Sequence, residues 1–293
     1  MEFWLGAAFV DAREYVPLAQ AADRLGYAAV AVSDHIFYAD YRSPYPYSDT
    51  GAPPYGPGTH WPDVWVTIGA MAAVTERVRF ATNVYIAPAR DLFTVAKAVS
   101  TAAVLSGDRA ILGVGVGWCK DEFLQTGQDF HTRGRRLDEM IPALRTLWRG
   151  GTVEHHGAHY DFGPLSIAPV PGRPVPVYIG GDSDAALRRA ARLGDGWIGN
   201  RVYTEDQLAD VLARLARHLS DHGRALDDLE VIAPIGAPPS ADLYRRWADR
   251  GVTGTMAAPW WPATPEEKAR HGRGLALKLA AMERFAEEVI AKM

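Results

Sequence analysis

The sequence predicts a (β/α)8 TIM barrel, a single domain over residues 1–293 with insertions. Two observations carry that expectation. Short apolar runs alternate with longer amphipathic segments in eight strand-then-helix units, the pattern of strands feeding crossover helices. The chain has 293 residues, 48% hydrophobic and 23% charged, an ordinary globular composition for one large domain. A doubly wound sheet can also use eight parallel strands, and it is the alternative to the barrel. The repeat is one of element type; no internal sequence repeat is evident.

The elements follow in order. "FWLGAAF" (3–9) reads as the first strand, and "EYVPLAQAADRLG" (14–26) as a helix closed by Gly26. "AAVAV" (28–32) is the second strand. A loop rich in Tyr, Pro and Gly runs from Ile36 to about Trp61, before a helix over 62–75. Strand 78–84 precedes helix 92–106, and strand 110–116 precedes a helical stretch ending near Trp148. "TVEHHGAHYDFG" (152–163) reads as an inserted hairpin around Gly157. Strands 175–181 and 196–200 are followed by helices 183–194 and 205–222. Strands 229–235 and 251–259 complete the eight, and a helix over 265–292 closes the chain.

The 31 basic and 35 acidic residues are mixed along the chain, so nothing points to nucleic acid or an anionic membrane, which favour clustered Lys and Arg. The single cysteine, Cys119, permits no intrachain disulfide and suits a reducing compartment. The N-terminus lacks a basic region, and its apolar run is too short for a signal peptide or a spanning helix. A cytoplasmic protein is the expectation.

In a barrel, chemistry gathers where strands end at their C-terminal side. Those ends place Ser33, Asp34 and His35 after the second strand and Asn83 after the third. Gly115, Val116, Gly117 and Trp118 follow the fourth, and Gly180, Gly181, Asp182 and Ser183 the fifth. The later ends bring Asn200, Arg201, Trp260 and Trp261. Polar tips, aromatic walls and bare glycine backbone together describe a pocket for a flat ligand with an anionic tail. "YIGGDSDAALRR" suggests a phosphate seat, with glycine amides and a helix N-terminus facing an anion. It also suits a tight turn with Asp182 or Ser183 as N-cap, and both readings stay open. "GVGVGW" (113–118) fails the dinucleotide fingerprint, because Trp118 stands where the third glycine belongs.

Other groups carry less. His155, His156 and His159 share a hairpin without convergent metal ligands, so no metal site is expected. Asp121 and Glu122 open a helix, where acids favour the dipole, and structural capping is the preferred account. Cys119 reads as a small buried residue.

"AVSDHIFY", "TNVYIAPARDLFTVAKAVSTAAVLSGDRAILGVGVGW" and "VPVYIGGDSDAALRRAARLGDGW" resemble the luciferase-like flavin and deazaflavin oxidoreductases. The helix and hairpin over 133–162 occur in the same order. The likeness is collinear over about residues 1–200, fades thereafter, and is nearest to the subgroup dependent on coenzyme F420. It implies a barrel holding the cofactor at its C-terminal face. It implies His35 as an acid/base or orienting residue with Asp34 beside it, and a cis peptide at Asn83-Val84 backing the ring. It maps the cofactor contacts to Asp34, His35, Asn83, Val84, Gly115, Val116, Gly117, Trp118, Gly180, Gly181, Ser183 and Arg201. Some relatives carry an acid where Trp118 stands, so carboxylate-assisted proton transfer at that position is not expected here.

The expected activity is hydride transfer between F420 and a small-molecule organic substrate, with the matching proton exchanged at His35. Phe37, Trp61, Trp118 and Trp260 are candidate substrate walls, and the loop over 37–61 shapes or covers the pocket. Arg42, Arg90 and Arg201 are candidates to meet the cofactor's anionic tail. The family leads to the expectation of a homodimer. The nearest alternative is an FMN-dependent monooxygenase using reduced flavin from a separate reductase. More distant ones are a metal-dependent hydrolase built on Asp34, His35 and the 155–159 histidines, and a non-catalytic flavin-binding protein.

Overall fold

The computed structural model describes residues 1–39 and 43–293. Strands β1 (Glu2–Gly6), β2 (Ala29–Val32), β3 (Arg79–Thr82) and β4 (Ala110–Val114) are followed by a two-stranded hairpin, β5 (Val153–His156) and β6 (Asp161–Leu165). Strands β7 (Val177–Gly180), β8 (Gly196–Ile198), β9 (Glu230–Ile232) and β10 (Gly254–Ala257) complete the set. All except β5 and β6 pair in parallel and close on themselves, with β1 bonded to both β2 and β10. The predicted barrel is therefore the observed fold.

Alternation along each strand sorts side chains between two layers. Trp4, Ala29, Ala31, Ala81, Ile111, Tyr178, Ile198 and Ile232 point inward and fill the barrel. Phe3, Leu5, Val30, Val32, Leu112, Val114, Val177 and Ile179 point outward to the helices. Large inner rings demand small neighbours. Trp4 and Tyr178 stack at 5.8 Å, and a Cβ on Gly196, the partner of Tyr178 in register, would fall 2.7 Å from that ring. At Gly113 a Cβ would sit 1.9 Å from the Thr82 carbonyl oxygen, so β3 and β4 approach only because this residue is glycine. At the N-terminal mouth Arg79 pairs with Glu2, lies 3.7 Å from Glu230, and spreads over Trp4.

The helices are α1 (Tyr15–Leu25), α2 (Val64–Ala72), α3 (Leu92–Leu105), α4 (Lys120–Gln125) and α5 (Arg133–Leu147). They continue with α6 (Asp184–Leu193), α7 (Glu205–Ser220), α8 (Ala241–Ala248), α9 (Pro265–His271) and α10 (Leu275–Glu288). Gly26 closes α1 at φ 83°, as its place in the sequence suggests. Three expectations change. The stretch ending near Trp148 is two helices, broken at Gly127, whose φ of 69° suits glycine. The last helix divides at Gly272, φ 73°, into α9 and α10. Helix α8 had no counterpart in the sequence reading: it has only 8 residues, so its apolar periodicity is short, though Ser240 caps it and Leu243, Tyr244 and Trp247 are buried.

Gly113→Ala should lower stability by at least about 1–3 kcal/mol, because the neighbouring strand's backbone cannot yield as a side chain can. Gly69→Ala, in α2 with open space around it, should be neutral or stabilise by up to about 1 kcal/mol. Urea denaturation of the two variants beside the parent checks the contrast.

Candidate active site

The C-terminal strand ends open into a cavity of about 730 Å³. That falls within the range of small-molecule and cofactor sites, about 300–1,000 Å³. The loops after β1, β2, β3, β4, β7, β8 and β10 all reach it.

Asp34 and His35 follow β2 directly, and their side chains do different work. Asp34 is buried, accepting from the Ile86 amide at 3.0 Å and from both terminal nitrogens of Arg90, at 2.7 and 2.8 Å. This forked geometry suits guanidinium and carboxylate. Burial pushes the Asp34 carboxyl above its usual range, while Arg90 and the Ile86 amide pull against it. Arg90 itself lies 4.3 Å from the centre of the Tyr85 ring. Asp34 and Arg90 thus satisfy each other, which corrects the expectation that Arg90 meets a cofactor tail. It also leaves Asp34 as a bolt between β2 and the loop after β3.

His35 lies against the cavity between two partners. Its Nδ1 is 3.0 Å from Glu122 Oε1, and its Nε2 is 3.0 Å from the Tyr55 hydroxyl. A carboxylate can only accept, so Nδ1 carries the proton, and Nε2 of the neutral ring accepts from Tyr55. Glu122 is fully buried and also accepts from the Ile36 amide at 2.8 Å. A buried carboxylate this well fixed holds the imidazole in one tautomer, as a third group does in triads that activate a histidine. Glu122 therefore does more than cap α4, correcting the sequence reading. The sequence reading gave Glu122 only a capping role and did not single out Tyr55. The available signal was an acid one turn into the helix after the β4 glycines, and a tyrosine in the loop before Trp61.

The floor is made of glycine and Val84. A Cβ on Gly115 would come 2.6 Å from the Val84 side chain, and one on Gly180 would come 2.3 Å from it. Only glycines at both strand ends allow Val84 to project between them. The Asn83-Val84 peptide is cis, as the resemblance implies. Toward β7 and β8 the cavity is polar. Gly181 takes φ 106°, and the Ser183 hydroxyl accepts from the Ala186 amide at 3.3 Å, so Ser183 is the N-cap of α6. Arg201 lies 2.9 Å from Asp182, and Arg133 donates to the carbonyls of Gly117 and Phe130. A floor stripped of Cβ atoms, with backbone amides and two arginines at one end, fits a planar cofactor with an anionic tail.

The structure thus brings Asp34, His35, Asn83, Val84, Trp61 and Trp118 to one cavity. Gly115, Val116, Gly117, Gly180, Gly181, Ser183 and Arg201 join them there. Phe37 and Trp260 are not among its lining residues. Trp260 is packed into the core, and its exposed neighbour Trp261 lines the cavity in its place, in contact with Phe9. Arg42 lies outside the described residues. The hairpin histidines lie away from the cavity lining: His156 contacts Asp161, and Glu139 on α5 accepts from the backbone around His159. Among the described residues no three His, Cys, Asp or Glu side chains form a cluster able to hold a metal. Cys119 is buried, which pushes its thiol up to about 11.

A parallel barrel with this glycine floor and a histidine just after β2 defines a protein that holds a flat ligand at the C-terminal ends of its strands. The chain matches the luciferase-like monooxygenase family over residues 4–290 and belongs to it. The match runs past residue 200, where the quoted motifs fade, and through the last two units. The chain is 35% identical over 297 aligned positions to an uncharacterised protein of Mycobacterium tuberculosis (strain ATCC 25618 / H37Rv), covering 100% of both. It is 30% identical to the F420-dependent glucose-6-phosphate dehydrogenase of Amycolatopsis mediterranei (strain U-32), covering 88% of this chain and 83% of that protein. Among solved structures, the coenzyme F420 dependent tetrahydromethanopterin reductase from Methanopyrus kandleri superposes with a TM-score of 0.75 over 99% of both chains. At 15% identity that likeness shows the shared fold.

Asp34→Asn keeps an acceptor for the Ile86 amide but leaves Arg90 without its counter-charge. It should cost about 3–5 kcal/mol of stability in urea denaturation, the toll of breaking a buried pair. Arg201→Ala, which breaks the more exposed pair with Asp182, should cost no more than about 1 kcal/mol. Equal losses would contradict the structural role given to Asp34.

Proposed function

We propose that the protein is a single-domain oxidoreductase transferring a hydride between coenzyme F420 and a small organic substrate in this cavity. The observation that carries the reading is His35, fixed by Glu122 and Tyr55 at the wall of the cavity that Val84 and its glycines floor. Family membership and the 30% identity to an F420-dependent dehydrogenase support it.

When bound, the deazaflavin supplies hydride transfer. The protein supplies the rest. Val84, Gly115 and Gly180 give a ring a surface to rest on, and Gly181, the first turn of α6, Arg133 and Arg201 hold the tail. Trp61 and Trp118 flank His35 and keep water from it. His35 exchanges the proton at Nε2, through or beside the Tyr55 hydroxyl, while Glu122 keeps Nδ1 protonated and stabilises the imidazolium.

Among the described residues no helix is long and apolar enough to cross a membrane, and a cytoplasmic location is part of the proposal. So is a homodimer. Val66, Val74, Phe93, Val104 and Leu105 are exposed on or beside the neighbouring helices α2 and α3, and Val66 is 74% exposed. An apolar face of this kind suits a second copy of the chain.

Titration of the apo-protein with F420 and with FMN, followed by fluorescence and melting temperature, tests the cofactor. F420 should bind and raise the melting temperature; binding of FMN alone would favour the monooxygenase alternative. His35→Ala should lower kcat by about 100-fold or more, whereas a non-catalytic binding protein would lose nothing. Sedimentation should show a dimer that Val66→Glu with Leu105→Glu converts to monomer.

A further inference from the structure

The aromatic end of the cavity, around His35, is bounded by a residue held in an unusual backbone conformation. Among the described residues two non-glycines, Phe9 and Asp108, take positive φ, at 60° and 62°. Aspartate visits this region with some ease. A bulky ring seldom does, and it stays there only where surroundings enforce it. The turn after β1 is pinned on both sides of Phe9. The buried Tyr15 hydroxyl donates to the Ala7 carbonyl at 2.7 Å, and the Ala12 amide donates to His60 Nδ1 at 3.0 Å. Asp11, between Phe9 and Ala12, accepts from the Arg13 amide at 2.9 Å.

That pinning sets the Phe9 ring among three others. It lies 5.8 Å from Tyr55, 5.4 Å from Trp61 and 6.1 Å from Trp261. Tyr55 and Trp61 in turn lie 5.3 and 4.8 Å from the His35 ring, so Phe9 is one ring further out from the reacting end. Beyond it is a second cavity of about 310 Å³, lined by Val10, Gly58, Thr59 and His60 among others. Phe9 and Tyr55 are the two described residues that line both cavities. Tyr55 is tied to the His35 ring through its hydroxyl, whereas a phenyl ring can be held only by packing.

We propose that Phe9 is a specificity-determining residue that sets how long a substrate the site accepts. This rests on reading the larger cavity as the substrate site of an F420 enzyme. A substrate on the cofactor floor beside His35 extends outward until it meets the Phe9 ring. The native site therefore takes compact substrates, and the limit is one of length, whatever charge they carry. Without that ring the two cavities join, and a longer substrate runs on toward Thr59 and His60. Glycine is the substitution that suits the place best, because it adopts φ 60° freely and leaves no Cβ in the opening.

Calorimetry on the F420-loaded protein, with 4-alkylphenols from methyl to octyl as probes, tests the proposal. Each methylene newly buried should strengthen binding about fourfold. In the parent that gain should stop at a definite chain length. In Phe9→Gly it should continue for at least two further methylenes, so that the longest probe binds about 16-fold tighter than to the parent. Phe9→Leu keeps a side chain in the opening and should move the limit less. Melting temperatures check that each variant folds. A second readout needs no cofactor. Gly58 lines the second cavity with open space around it, so Gly58→Cys places a thiol there without a clash. Cys119, the native thiol, is buried and pushed up to about 11, which leaves position 58 to react. 4-Octylphenol should slow alkylation at position 58 only when Phe9→Gly is also present. An unchanged length limit in Phe9→Gly overturns the proposal, as does equal weakening of every probe, the mark of a merely structural ring. Equal protection at position 58 with and without the Phe9 ring overturns it too. Should F420 fail to bind, the cofactor reading falls, and protection at position 58 still decides the role of Phe9.

Discussion

The forked pair between Asp34 and Arg90 is the contact on which the rest of the site depends. It joins the end of β2 to the loop after β3 across 56 residues of chain, and both charges are largely withdrawn from water. With Asp34 so held, the chain just beyond it has little freedom. His35 is then set against the cavity and Ile36 presents its amide to Glu122. A buried pair of this kind is weak evidence for net stability, because desolvation offsets attraction. Its consequence is geometric: it fixes where the next side chain starts.

Glu122 completes that geometry from the other side. It comes from α4, behind β4, and accepts from both the His35 ring and the Ile36 amide through one oxygen. Three separate β/α units therefore converge on two consecutive residues. The ring that results is oriented, in one tautomer, and walled by tryptophan. Below it, the glycines of β4 and β7 make room for Val84, so floor and histidine belong to one assembly. The cavity is polar where arginines and helix amides face it and aromatic where the histidine sits, which separates a tail-binding end from a reacting end.

Much of this was legible in the sequence. Eight apolar runs of strand length, separated by amphipathic segments, specify a parallel β/α fold because strand and helix periodicities differ and each face must be buried; the barrel was preferred over a doubly wound sheet, and closure of β1 on β10 decides it. Strand ends then follow, and with them Asp34, His35, Asn83 and the glycine turns, while Val84 came from the family resemblance. Local rules also read well: Gly26 ends α1, and the cap of α6 is one of the two residues the sequence offered, Ser183 and not Asp182, since capping needs only near neighbours. Short elements read poorly. Helix α8 offers too few turns for a period to show, and Gly272 divides a stretch whose composition looks continuous. Trp260 and Trp261 were indistinguishable as a pair, because one residue of backbone rotation decides which faces the core.

By itself, then, the sequence determined the parallel β/α fold, the family likeness and the strand ends at which chemistry gathers. All of these follow from patterns within a few residues of one another. Only the tertiary structure decided what Asp34 and His35 do. Arg90 is 56 residues from Asp34, and Glu122 is 87 residues from His35. No local pattern encodes such pairings. They arise because closing the barrel sets the loops after β2, β3 and β4 side by side, where buried charges must find partners.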